Sequence, residues 1–188
     1  MRLNTLLETD RTTSRALNVF SLYVDFPAGL RAKWAASQIT RRAGKRWEVS
    51  AQVWKLDSFI TAGSIRNLIC EEAAQADVLV VALSSLDQPE QEVIAWLKSL
   101  APARQPDVAP GGLLLGLLGD DEHWVKAKDP MVQQLAAVAR RRNMDFGWQW
   151  MERDAMEDSE WLTGRVEQLL DRKQSARLFE NGSGLALL

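Results

Sequence analysis

Five times along this chain a short apolar run is followed by a stretch with helical spacing, and that alternation constrains the fold more than any other feature. The first run, Leu17 to Val24, is apolar and β-rich. Pro27 and Gly29 punctuate its end before a helical segment predicted from about residue 30 to 46. Glu48 to Leu56 alternates, with Val49, Ala51 and Val53 on one face and Glu48, Ser50 and Gln52 on the other, as a half-exposed strand does. Ser64 is the expected N-cap of a helix whose stripe is Ile65, Leu68, Ile69, Ala73 and Ala76. Val78 to Leu83 then runs without a polar break. Pro89 stands where a first helical residue should, ahead of Val93, Ile94, Leu97 and Leu100. Leu113 to Leu118 is the fourth apolar run, and Asp129 with Pro130 opens a helix through Ala139. Asp145 to Trp150 is the fifth, before a helix capped by Ser159 and striped by Trp161, Leu162, Val166, Leu169 and Leu170.

Strands alternating with helices of this length predict a parallel sheet joined by right-handed crossovers. Runs one, three and four are continuously apolar, as strands covered on both faces are, whereas two and five alternate, as edge strands can. The expected class is therefore a three-layer, doubly wound α/β sheet of five parallel strands in the order 2-1-3-4-5. One domain is expected over residues 16–174, after a loosely held segment 1–15 and before a loose tail 175–188 with its Gly-Ser-Gly interruption. At 188 residues two separate cores would each be marginal.

Composition narrows the partners. Net charge is −2, so no whole-molecule field draws in nucleic acid or an anionic membrane. The longest apolar stretch is far too short to span a bilayer. Cys70 is the single cysteine, so no internal disulfide is possible, and charges scattered through the first twenty residues are unlike a signal peptide. A cytoplasmic chain is the expectation. One cysteine and one histidine cannot make a zinc site, and neither GxGxxG nor GxxxxGK[ST] occurs, so no metal and no cofactor are predicted. Eight tryptophans against one tyrosine suggest core packing ahead of a stacking site.

In such a sheet, ligands enter beyond the carboxyl ends of the strands at the switch point between strands one and three. That rule nominates Asp25 and Phe26 after strand one, Ser84, Ser85 and Asp87 after strand three, Asp120, Asp121 and His123 after strand four, and Trp150 at the end of strand five. The acidic turn with His123 has residue types suited to magnesium or acid–base work, and equally to a polar turn. Basic clusters at Arg41, Arg42, Lys45, Arg46 and at Arg140 to Arg142 fall near helix C-termini, where the helix dipole and solvation account for them.

Across residues 17–173 the strand and helix order resembles the receiver-like and flavodoxin-like superfamily. A phosphoacceptor receiver would carry an acid pair after strand one, an aspartate ending strand three and a lysine ending strand five; here Asp25 alone has a counterpart, with Leu83, Ser84 and Trp150 at the other places. A flavodoxin would have hydroxyls in the loop after strand one, and Asp25 to Leu30 has none. Asn18 to Tyr23, and Ala76 to Leu83 followed by Trp96, resemble parts of Toll/interleukin-receptor-like domains, some of which cleave NAD; that resemblance would make Glu92 or Glu90 the catalytic glutamate. Tyr23 to Trp34 and Ala73 to Trp96 also resemble a group of uncharacterised bacterial stand-alone α/β proteins. The expectation is a non-catalytic, receiver-like regulatory or protein-interaction domain, with a nucleotide- or small-molecule-binding enzyme as the alternative. Self-association through Trp148, Trp150 and Trp161 is a further expectation.

Overall fold

The computed structural model describes residues 16–61, 63–84, 89–100, 111–119, 130–151 and 160–182. Its order is β1 (Ala16–Tyr23), α1 (Phe26–Ala43), β2 (Glu48–Lys55), α2 (Leu56–Thr61), α3 (Gly63–Ala74), β3 (Val78–Leu83), α4 (Pro89–Ser99), β4 (Gly112–Leu118), α5 (Pro130–Arg141), β5 (Met144–Trp150) and α6 (Glu160–Gly182). All five strands run parallel in one sheet, ordered β2-β1-β3-β4-β5. The expected order holds, with the two alternating strands at the edges.

Period-2 alternation sends each central strand into two cores. Val78, Val80 and Ala82 of β3 join Leu113, Leu115 and Leu117 of β4 beneath α1 and α6. Leu79, Val81 and Leu83 pack the other face with Leu114 and Leu118, against α3, α4 and α5. α1 meets the sheet through Ala28, Ala32, Ala35 and Ile39, all fully buried; with so little side chain between them, helix and sheet lie close. Gly29 allows the Tyr23 ring against the same helix, since a Cβ there would stand 2.9 Å from Tyr23 Cε2. The described tryptophans serve packing. Trp47 and Trp96 are buried, and Trp34, Trp54, Trp148, Trp150 and Trp161 pack against one core or the other.

Several local expectations shift. α1 begins at Phe26, four residues before the expected start, because Asp25 caps it and Pro27 suits a helix's first turn. Ser64 is the second residue of α3 and does not precede it, and α2 adds a short helix after β2. On β2, Val49 packs inward but Ala51 is exposed, and Trp54 on the opposite face supplies the buried bulk. α6 continues to Gly182, so residues 175–182 are helical where a loose tail was expected. Asp129 and Ser159, the other expected caps, lie outside the described residues. No helix among the described residues is long and apolar enough to cross a membrane.

Candidate functional site

At the switch point, β1 hands the chain to α1 through Asp25, whose extended backbone (φ −140°, ψ −178°) lets its carboxylate turn back onto the helix. Asp25 Oδ1 accepts from the Ala28 N–H at 2.9 Å. The same oxygen accepts from the Ser84 hydroxyl, at the end of β3, at 2.5 Å. Ser84 Oγ in turn accepts from Arg31 Nη2 at 2.7 Å, and that nitrogen also donates to the Leu83 carbonyl at 3.1 Å. Arg31 is 1% exposed. Its guanidinium lies over Gly119 at the end of β4: a Cβ on that residue would fall 2.3 Å from Arg31 Cζ. The Gly119 N–H donates to the same Leu83 carbonyl at 3.0 Å, which ties the end of β4 into the network.

At the edge of this network, Lys55 ends β2 opposite Tyr23 and pairs with Asp57. The Asp57 hydrogen bond, then its charge, raises the Lys55 pKa, with smaller contributions from Tyr23 and Asp25. Among the described residues, Asp25, Arg31, Lys55 and Asp57 each face an opposite charge or a dipole of the chain itself.

Of the nominated residues, Asp25 and Ser84 therefore meet. Phe26 stands apart from them, 74% exposed at the first turn of α1. Trp150 packs against the core on the opposite face, two strands from β3 and so about 10 Å away across the sheet. Ser85, Asp87, Asp120, Asp121 and His123 lie outside the described residues. Among the described residues no cluster of His, Cys, Asp and Glu could hold a metal. Arg31 was missed by sequence reasoning. Its signal was positional: it stands on the same helical stripe as Ala28, Ala32, Ala35 and Ile39, a face that is otherwise apolar.

The basic run that closes α5 also reads differently in three dimensions. Arg142 is 1% exposed, not solvated, and its Nη2 donates to the Ala73 and Ala74 carbonyls at 3.2 and 3.0 Å, capping the end of α3. Burial, and to a lesser degree the charge of Arg141, lowers its pKa.

No protein-family model matches the chain, and no curated protein matches it. Solved structures do. A flavodoxin of Streptococcus pneumoniae TIGR4 is 14% identical over 81% of this chain and 94% of its own, with a TM-score of 0.47. The Trp repressor binding protein of Bacillus subtilis is 16% identical over 81% and 97%, with a TM-score of 0.44. A candidate quinone reductase of Klebsiella pneumoniae is 12% identical over 87% and 85%, with a TM-score of 0.43. The strand order itself defines this chain as flavodoxin-like in fold.

Proposed function

We propose that this chain is a non-catalytic regulatory or protein-interaction domain on a flavodoxin-like scaffold. The observation that carries the reading is the Arg31–Ser84–Asp25 chain of hydrogen bonds across the switch point. Ligand phosphates are ordinarily received by the free N–H groups and positive dipole end of the first helix. In this chain a carboxylate of the protein already sits at that end, and Pro27 removes one of the donors. An incoming phosphate would have to displace Asp25 or tolerate its charge. Arg31, the cation of this network, is turned to Ser84 and to a main-chain carbonyl.

Beside this network α1 presents apolar side chains to solvent. Phe26 and Leu30, one helical turn apart on α1, are 74% and 40% exposed. They are the face we assign to a protein partner. Titrating the purified chain with FMN and with NAD, followed by tryptophan fluorescence, tests the reading. Neither should show saturable binding that depends on Asp25. Saturable binding by the wild type that Asp25→Ala changes, in either direction, would replace this proposal with a crevice-binding enzyme.

A further inference from the structure

The turn that closes α1 carries four cations in six residues, Arg41, Arg42, Lys45 and Arg46. They line one wall of a groove of about 710 Å³ between α1 and the first two turns of α6. The other wall presents Glu160, Glu167 and the side chain of Thr163, so among the described residues four cations face two carboxylates.

The helix dipole does not account for all of this charge. Arg41 and Arg42 stand in the last turn of α1, where cations complement the negative end. Lys45 and Arg46 lie beyond Gly44, exposed in the following turn, and the dipole effect fades within the last turn. The contrast with α5 is informative. There Arg141 donates to the Leu97 and Lys98 carbonyls at 3.3 and 2.6 Å, and Arg142 caps α3, so both arginines are spent in holding helix ends together. At α1, Arg41 bonds Gln38 and Arg42 pairs with Glu167 at a partly exposed site. Among the described residues neither Lys45 nor Arg46 pairs with a carboxylate.

We propose that this groove binds a compact polyphosphate, an anion with two or three adjacent phosphate groups. Guanidinium forks and a mobile ammonium are the donors that such groups engage best, and the bonds are charge-assisted. The volume falls within the roughly 300–1,000 Å³ of small-molecule sites. Carboxylates on the facing wall and a net charge of −2 suit a compact anion better than an extended nucleic acid. The site stands apart from the switch-point crevice and does not depend on how that crevice is read.

Calorimetric titration of the full chain with inorganic triphosphate, at low and at moderate salt, tests the proposal. The expected result is saturable one-to-one binding that weakens as salt rises. Lys45→Glu with Arg46→Glu should weaken it by roughly tenfold or more. Because both positions are exposed, the circular dichroism and thermal midpoint of the unliganded double variant should match the wild type, and Lys45→Gln with Arg46→Gln should fall between. Asp25→Ala should leave triphosphate binding unchanged. No saturable binding, equal binding by the double variant, or tighter binding of a single-stranded oligonucleotide than of triphosphate would each overturn the proposal.

Discussion

Gly119 illustrates how one residue sets the state of the switch point. Any side chain there would enter the space of the Arg31 guanidinium, with distances of 2.3 Å to Cζ and Nη1 and 2.7 Å to Nη2. An arginine tip is ordinarily able to swing away. This one is buried and held by Ser84 and Leu83, so displacing it strands a buried cation and its acceptors. Gly119→Ala is therefore expected to destabilise the fold by about 1–3 kcal/mol, the usual cost of overpacking a filled site. Thermal unfolding measures it, and an unchanged midpoint would mean that Arg31 is not fixed there. Arg31 and Gly119 were hard to read in the sequence for the same reason: their roles exist only when the end of β4 meets the face of α1. Asp25 and Ser84 were legible because strand-end position alone nominates them.

Among the elements, α3 and the turn between α5 and β5 are joined by an arginine that the sequence presents as part of a surface run. Arg140 and Arg141 fit the helix-dipole expectation, but the chain turns at Asn143, whose φ of 51° is left-handed, and Arg142 is carried inward. That turn is the piece of geometry that composition could not supply. Removing the guanidinium leaves the α3 carbonyls without their charged donor and opens a void. Arg142→Ala should cost about 2–4 kcal/mol, seen as a lower urea midpoint at unchanged slope. Arg142→Lys keeps the charge but not the planar group and should fall between. An alanine variant as stable as the wild type would remove the capping role. Other elements were read well where the physics is local. β3 and β4 are buried at every position, as their unbroken apolar runs imply, and the Pro-led α4 and α5 begin at Pro89 and Pro130. The start of α1 is hard to place from sequence because Pro27 and Gly29 suit a turn, while a proline in the first turn after an aspartate cap equally starts a helix.

For the whole molecule, hydrophobic patterning was enough to place the edge strands. The three apolar runs that became β1, β3 and β4 must be covered on both faces, and an order that puts β2 and β5 at the edges allows it. Patterning says nothing about whether the crevice that every such sheet creates is left for a ligand. Here Arg31 on α1, Ser84 after β3 and Asp25 after β1 are hydrogen-bonded across it from three elements, and the described charges around it balance one another. If that link holds the molecule together across the switch point, its members must act as a unit. A double-mutant cycle of Ser84→Ala and Arg31→Met, followed by urea unfolding, tests this most directly. The account predicts a coupling of about 1–3 kcal/mol, because the hydroxyl and the guanidinium satisfy each other in a buried setting. Additivity within about 0.5 kcal/mol would contradict it, and would return the crevice to the places where a ligand is sought.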